Sequence, residues 1–216
     1  MCKGSVTYPK ISGKNLAFCA LLFLLGCNQR ELPPMSSSSA EHPAATSSAS
    51  GETAVQQSGR RSFGSITMLI PAGWAERTPS SQMRKAQFAL EKVPGDEDDA
   101  ELAVFYFGAG QGGSVEANID RWIGQLAQPD GSASKEKAKI SKKEVARLPV
   151  TLVDVTGTYS PGMMSPGPPH PGYRLLGAVV ETSEGPWFFK MTGPEKTVGK
   201  WAGSFDDFLN SIKNGG

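Results

Sequence analysis

The sequence predicts an α+β domain in which a largely antiparallel sheet of about six to seven strands packs with two amphipathic helices. Three observations lead to this class. Apolar and polar residues alternate in several short segments, two longer segments repeat apolar residues every three or four positions, and turn-forming residues separate neighbouring strands. The order is three strands, a helix, four strands and a helix, which favours an antiparallel sheet.

The first three predicted strands cover residues 63–70, 86–90 and 102–107. Alternation of apolar and polar residues in the first two indicates that each buries one face, and a turn over Pro71 to Trp74 follows the first. The third segment is apolar on both faces, which indicates a strand that is covered on both sides of the sheet.

The first predicted helix follows the third strand. Ser114 can cap its N-terminus, and Glu116 carries the charge that the positive end of the helix dipole favours. Its apolar stripe predicts the face that packs on the sheet and consists of Val115, Ile119, Trp122, Ile123 and Leu126.

The other four strands are predicted to form two hairpins. The first hairpin pairs residues 139–145 with 150–159, and the second pairs residues 174–182 with 186–191. Their turns are predicted at Arg147-Leu-Pro149 and at Ser183-Glu-Gly185.

The second helix is predicted to follow the last hairpin. Thr192 and Glu195 have the spacing of a capping box, and Pro194 suits a first helical turn. The residues expected to face inward are Val198, Trp201, Phe205, Phe208, Leu209 and Ile212.

Residues 1–26 are predicted to be a signal peptide. A basic segment with Lys3, Lys10 and Lys14 precedes ten apolar residues, which would rise about 15 Å in a helix and are too short to span a bilayer. The run ending Leu25-Gly-Cys27 resembles a bacterial lipoprotein signal, in which the cysteine is diacylated on sulfur and becomes the new N-terminus. The bulk of Leu25 leaves open a cleaved signal without lipid.

The resemblance implies a protein anchored to a membrane through Cys27, outside the cytoplasm. Asn28 resembles the residue of lipoproteins that reach the outer membrane facing the periplasm, and the cell surface is the alternative. Residues 27–60 are rich in Ser, Ala and Pro and are predicted to be a disordered tether. Cleavage leaves 19 basic residues (22 less three lysines) against 21 acidic ones, a net charge of −2, which argues against nucleic-acid binding. Apart from Cys27 no cysteine remains.

Residues 61–216 are predicted to form one globular domain, which resembles the PsbP-like superfamily in three segments. These are the strand ending in Ile70-Pro-Ala-Gly-Trp74, the segment from Trp187 to Gly193, and the final helix with residues 205–211. The superfamily includes photosystem subunits, a nuclear import factor and many bacterial lipoproteins. The resemblance implies a binding or scaffolding role, and no catalytic motif carries over.

A glycine-rich segment matches the G-x-G-x-x-G pattern with Gly108, Gly110 and Gly113, behind a strand and before a helix. The acidic residue that a dinucleotide site requires about twenty positions later, at a strand end, is missing. We therefore interpret the segment as a flexible strand-to-helix turn, and no cofactor is predicted. Its glycines remain candidates for a contact surface.

A proline-rich segment, residues 161–172, joins two predicted strands and is longer than most hairpin loops. Its prolines favour an extended loop that contacts a protein partner, and a tolerated surface insertion is the alternative. A Cu(I) site is a minor alternative that matches no known spacing, so no metal is predicted. The candidate contact residues are Met163, Met164, Pro168, Pro169 and His170.

Charged residues offer weaker candidates. The acidic run at residues 96–99 with Glu101 could bind Ca²⁺, although a solvated loop is the better interpretation. The basic residues between Lys135 and Arg147 could contact anionic headgroups. A hydrolase would need Asp154 or Glu181 together with Glu101 or Asp120.

The leading hypothesis is a non-enzymatic, lipid-anchored envelope protein that binds a protein partner. The first alternative is a small-ligand carrier with a pocket between sheet and helix, and tryptophans are candidates for its lining. The second alternative is a hydrolase with an unrecognised carboxylate site. A concave pocket of several hundred Å³ lined by aromatic residues would favour the carrier over the scaffold.

Overall fold

The computed structural model of the chain describes residues 59–162 and 167–214. Cys27, the signal peptide, nearly all of the tether, Met163 and Met164 lie outside the described residues. Within those ranges the helices are α1 (Val115–Ile123), α2 (Ser134–Lys137) and α3 (Glu195–Asn210). The strands are β1 (Arg60–Phe63), β2 (Ile66–Leu69), β3 (Trp74–Arg77), β4 (Arg84–Leu90), β5 (Ala100–Tyr106), β6 (Leu126–Ala127), β7 (Lys139–Val145), β8 (Leu148–Tyr159), β9 (His170–Val180), β10 (Trp187–Pro194) and β11 (Lys213–Asn214).

The strands form a large sheet and a small sheet, both antiparallel. The order in the large sheet is β3-β4-β5-β10-β9-β8, and both β6 and β7 pair with the outer edge of β8. The small sheet has the order β1-β2-β11. The predicted α+β class with a largely antiparallel sheet is confirmed, and so are both predicted hairpins, β7–β8 and β9–β10. The turn of the first hairpin was predicted too late: it lies at Ala146 and Arg147, both with positive φ, and Leu148 and Pro149 already belong to β8.

Two details of the strand prediction were wrong. The segment 63–70 is not one strand, because the chain turns at Gly64 with a φ of +58° and forms the hairpin β1–β2. The large sheet also has eight strands, since β3 and the two-residue β6 were not predicted. Short edge strands of this kind have too few residues to show an alternating pattern.

One face of the large sheet is covered by α3 and the small sheet. Inward residues of β10 alternate, so that Trp187, Phe189 and Met191 enter this core together with Phe88 of β4. From α3 the residues expected to face inward lie in or against the same core, with Trp201 at its edge. At this edge, the indole N–H of Trp201 donates a hydrogen bond to the Glu91 carbonyl oxygen at 2.9 Å.

The opposite face of the sheet is covered in part by α1. The predicted N-cap is confirmed, because Ser114 Oγ accepts a hydrogen bond from the Ala117 amide at 3.1 Å. Ile119, Trp122 and Ile123 pack on β8 and β9 as predicted, and Leu126 joins them from β6, beyond the end of the helix. The strand β4 lies outside this packing and Phe105 of β5 is only partly buried against it, so part of the face stays open.

The predicted capping box of the last helix was wrong. Thr192 still belongs to β10, and α3 begins at Glu195 without a side-chain cap from the preceding Pro194. The carboxylate of Asp96 takes that place: its Oδ2 accepts from the Thr197 amide at 3.0 Å and from the Thr197 hydroxyl at 2.6 Å. Part of the acidic run therefore satisfies a helix N-terminus that lies 101 residues away in sequence.

The lysine-rich segment supplies the exposed strand β7, which pairs with β8 alone. Lys143 of this strand forms an ion pair with Asp206 at 2.5 Å, and Lys135 of α2 pairs with Asp120 at 2.8 Å. Lysines on an edge strand discourage pairing with another chain, which is a structural reason for this composition. No helix among the described residues is both long and apolar enough to cross a membrane.

Candidate functional site

A cavity of about 490 Å³ lies between α1 and the uncovered part of the large sheet. Its floor is the outer face of β4, β5 and β10, and its wall is one side of α1. Known small-ligand sites fall in the same range of volume. The lining residues are Ser81, Met83, Arg84, Glu101, Ala103, Phe105, Phe107, Asn118, Arg121, Trp122, Gln125, Tyr159, Gly162, Phe188, Lys190 and Thr192.

The register between β5 and β10 gives the floor an apolar end and a polar end. Phe105 lies opposite Phe188, Ala103 opposite Lys190, and Glu101 opposite Thr192. Because alternate residues of a strand share a face, the floor changes from aromatic to charged within about 7 Å, two residues along β10.

The apolar end is built from aromatic side chains. The Phe107 ring lies 5.8 Å from Phe188 and 6.4 Å from Phe105, measured between ring centroids. Trp122 of α1 meets Phe188 edge to face at 6.4 Å. Phe107 and Met83 remain 41% and 38% exposed, which is high for such side chains and leaves an apolar rim open to solvent.

The polar end centres on Lys190. Its ammonium group donates to Gln125 Oε1 at 2.6 Å and to the Tyr159 hydroxyl at 3.1 Å, and it lies 4.9 Å from the centre of the Tyr159 ring. Beside it, Arg84 Nη1 contacts Glu101 Oε1 at 2.6 Å. Gln87 donates to the other oxygen of the same carboxylate at 2.6 Å.

The surroundings at the polar end of the cavity shift the pKa values of Lys190 and Tyr159. Burial lowers the pKa of Lys190 from 10.5 to about 8, with a smaller contribution from the positive charge of Arg84. Burial also raises the pKa of the Tyr159 phenol, and the Glu101 carboxylate acts in the same direction. Tyr159 therefore stays neutral at pH 8, where about half of Lys190 is charged.

The glycine segment forms the turn between β5 and α1 at one end of the cavity. Gly108, Gly110 and Gly113 all have positive φ, between +68° and +97°. The turn is fixed from two sides: Asn118 Nδ2 donates to the Gly112 carbonyl at 2.8 Å, and a Cβ on Gly112 would lie 2.9 Å from the Phe107 ring. Gly112 therefore permits close packing, whereas Gly108 and Gly110 have open space around them and serve the turn through their positive φ.

The proline segment lies at the other end of the sheet. Pro168 and Pro169 are exposed and lead into β9, which begins at His170. The turn after the other end of β9 contacts the glycine segment, because a Cβ on Gly185 would lie 2.5 Å from the Gly108 carbonyl oxygen. The eleven residues of β9 span about 35 Å, so the glycine and proline segments do not form one contact surface. The cavity extends between them, from Phe107 to Gly162.

His170 contacts aromatic and acidic groups. Its ring lies 4.8 Å from the Tyr173 ring, and its Nδ1 lies 3.9 Å from Asp98 Oδ2. Tyr173 donates to the same Asp98 oxygen at 2.7 Å, and burial followed by this bond raises the pKa of the Tyr173 phenol. Among the described residues, no group of three His, Cys, Asp or Glu side chains is placed to hold a metal ion.

The carboxylates that a hydrolase would use have structural partners. Asp154 binds Arg174 through both oxygens at 2.8 Å, and Glu101 is paired with Arg84. Asp120 lies on the outer surface of α1 in its ion pair with Lys135. Only Glu101 of these lines the large cavity, and Glu181 lines a separate, smaller cavity of about 300 Å³ beside Gly113.

Two of the candidate site residues named from the sequence line the cavity, Trp122 in its wall and Glu101 at its polar end, whereas Lys190 was not predicted. Of the four tryptophans considered for a cleft, Trp122 lines the cavity, while Trp74 and Trp187 lie in the opposite core. The missed signal was Lys190, a single charge inside the apolar strand β10. The alternation of residues along β10 assigns position 190 to a covered face of the sheet. A lysine at such a position indicates that its ammonium group contacts either a buried partner or a binding site.

Comparison with known proteins gives distant likenesses. No protein-family model matches the chain, and no curated protein matches it. A cyanobacterial PsbP from Synechocystis, of the superfamily that the sequence motifs resemble, has a TM-score of 0.47 at 11% identity, over 76% of this chain and 96% of its own. A Pseudomonas aeruginosa protein of unknown function has a TM-score of 0.41 at 10% identity, over 71% and 94% of the two chains. A Bacteroides thetaiotaomicron protein has a TM-score of 0.40 at 13% identity, over 73% and 49%. Such values carry no argument about function, and the α+β class rests on the sheet and helices described above.

Proposed function

We propose that this protein is a non-enzymatic binding protein whose cavity between α1 and the large sheet holds a small, largely apolar molecule. The observation that supports this is the cavity itself, with a volume of about 490 Å³, aromatic walls and a few polar groups at one end. Carrier and receptor sites combine these features, because aromatic surface provides affinity and the polar groups fix orientation.

The sheet geometry explains why the cavity is open. Helix α1 packs on β8 and β9 and reaches Phe188 of β10 through Trp122, whereas Phe105 of β5 is only partly buried and Phe107 beyond it is exposed. Apolar surface that the chain leaves partly uncovered in this way is available for a ligand. The carrier therefore replaces the partner-binding scaffold as the first hypothesis.

A neutral fluorescent probe, N-phenyl-1-naphthylamine, tests this function because its emission rises in apolar surroundings. Ala103, which is 3% exposed on the cavity floor, is changed to Phe to fill the space, and the exposed Ala133 is changed to Phe as the matched control. We expect saturable binding by the wild type and by Ala133→Phe, and loss of binding by Ala103→Phe at unchanged circular dichroism. Equal binding by all three would refute the cavity as the site.

We further propose that the protein acts outside the cytoplasm, held to a membrane by acyl chains on Cys27. The support is the sequence alone: a basic segment, a short apolar stretch and the cysteine at its end. The outer membrane facing the periplasm is the first location, from Asn28, and the cell surface is the second. Mass spectrometry of the mature N-terminus should find a diacylated Cys27. An unmodified N-terminus at another residue would contradict the anchor and leave secretion intact.

Contact with an envelope protein through the proline segment is the second candidate function. It is supported by the exposed Pro168 and Pro169, which lie in sequence between Tyr159 and Tyr173, whose rings are 6.0 Å apart and 3° from parallel. Crosslinking in envelope membranes tests it, with Pro168→Ser/Pro169→Ser against the exposed control Pro79→Ser. A partner that the double variant loses and the control keeps would support contact. A partner kept by both would argue against this segment.

A further inference from the structure

The charges that line the cavity determine which small molecules it takes, and this inference rests on the binding function proposed above. Three cationic side chains line the cavity, those of Arg84, Arg121 and Lys190, and Glu101 is the one carboxylate among the described lining residues. Arg84 and Glu101 form an ion pair, so their charges offset each other. The lining therefore carries a net charge of +2 when Lys190 is protonated.

Lys190 is held by neutral groups. Its two hydrogen-bond acceptors are the amide oxygen of Gln125 and the hydroxyl of Tyr159, and no carboxylate oxygen of the described residues forms an ion pair with it within 4.0 Å. The nearby carboxylate of Glu101 attracts Lys190 but is paired with Arg84. A cation that is removed from water without an anion of its own is costly, and an anion brought in by a ligand would relieve that cost.

The position of Lys190 relative to the aromatic residues determines how a bound ligand would be oriented in the cavity. Lys190 and Phe188 lie two residues apart on the same face of β10, and Phe105 and Phe107 continue the apolar surface away from the charge. A molecule with a negatively charged group at one end and an apolar body about 7 Å or more in length would contact both ends.

We propose that the cavity binds an amphipathic carboxylate, with its anionic group at Lys190, between Gln125 and Tyr159, and its apolar body along Phe105 and Phe188. The shared chemistry is one negative charge on an aliphatic or aromatic body. A neutral molecule of the same body leaves the Lys190 charge without a partner, and a cationic one adds repulsion from Lys190 and Arg121.

Binding should weaken as the pH rises through 8, because deprotonation of Lys190 removes the charge that contacts the carboxylate. The groups facing Lys190 are Arg84 from β4, Glu101 from β5, Arg121 and Gln125 from α1 and its C-terminal end, and Tyr159 from β8. Tyr159 stays neutral through this range because its pKa is raised. The charge of Lys190 therefore changes between pH 7 and 9.5 while Tyr159 stays neutral.

The test uses the full chain with Cys27→Ser, purified without detergent, and displaces N-phenyl-1-naphthylamine with decanoate, decanol or decylamine. We expect decanoate to displace the probe at a concentration at least about tenfold below that of decanol, since a hydrogen bond to a charged group has about this effect. Decylamine should be the weakest. The advantage of decanoate should fall about tenfold between pH 7 and 9.5.

Lys190→Met should abolish the preference for decanoate over decanol, measured as the ratio of the two displacing concentrations, while Lys139→Gln, a charge change on the exposed strand β7, should keep both this preference and probe binding. Equal displacement by decanoate and decanol in the wild type would overturn the inference, and the proposed binding function would stand. Absence of probe binding by the wild type would overturn both. The pH comparison needs no variant, so it decides the question even if Lys190→Met fails to fold.

Discussion

Changing Lys190 to Met should alter how the free energy of unfolding depends on pH. Burial lowers the pKa of Lys190 in the folded chain from 10.5 to about 8, whereas the unfolded chain titrates near 10.5. Between these values the unfolded chain carries the proton that the folded chain has lost, so stability rises with pH. This gain in the free energy of unfolding is complete above pH 10.5, and it is lost as the pH falls through 8.

The magnitude follows from the two pKa values. Each pH unit between them adds up to about 1.4 kcal/mol, so raising the pH from 7 to 9.5 should stabilise the wild type relative to Lys190→Met by about 2 kcal/mol. Urea unfolding at both pH values, followed by circular dichroism, measures this difference directly. The range stops at pH 9.5 because Tyr159, with its raised pKa, has the opposite effect at higher pH. Parallel pH profiles of the two proteins would refute a buried, proton-releasing Lys190.

Two further predictions concern packing and capping. A Cβ on Gly177 would lie 2.6 Å from the Trp122 ring, so Gly177→Ala should destabilise the protein by about 1–3 kcal/mol and weaken probe binding. On α3, a Cβ on Gly203 would meet nothing within 4 Å, so Gly203→Ala should stabilise the protein by about 0.5–1 kcal/mol. Thermal unfolding separates the signs, and a stabilising Gly177→Ala would show that Trp122 does not rest on this glycine. Asp96→Ala removes the acceptor of both Thr197 hydrogen bonds and should cost about 1–2 kcal/mol in urea unfolding at pH 7. A cost below about 0.3 kcal/mol would show that water replaces the carboxylate at the start of α3.

Local patterns were enough to predict the long elements of the fold. The hairpins β7–β8 and β9–β10 have strands of seven residues or more, and the alternation or apolar continuity of such strands is visible in sequence. The N-cap at Ser114 was predicted for the same reason, because donor and acceptor lie three residues apart.

Contacts between distant segments could not be predicted in this way. Asp96 caps α3 from a loop 101 residues earlier, and nothing near Glu195 in the sequence indicates it. The polar end of the cavity likewise joins Lys190 with Gln125, 65 residues away, and with Tyr159, 31 residues away. The sequence marks Lys190 as unusual, but only the order of strands in the sheet determines which side chains surround it.

The proposed ligand occupies the space between α1 and the outer face of β5 and β10. Intermolecular nuclear Overhauser effects between decanoate and the protein test this placement most directly. We expect contacts from the decanoate methyl end to the ring protons of Phe105 and Phe188, and from the methylene next to its carboxylate to the side chain of Lys190. Contacts confined to the opposite core face around α3, or to the proline segment, would contradict it.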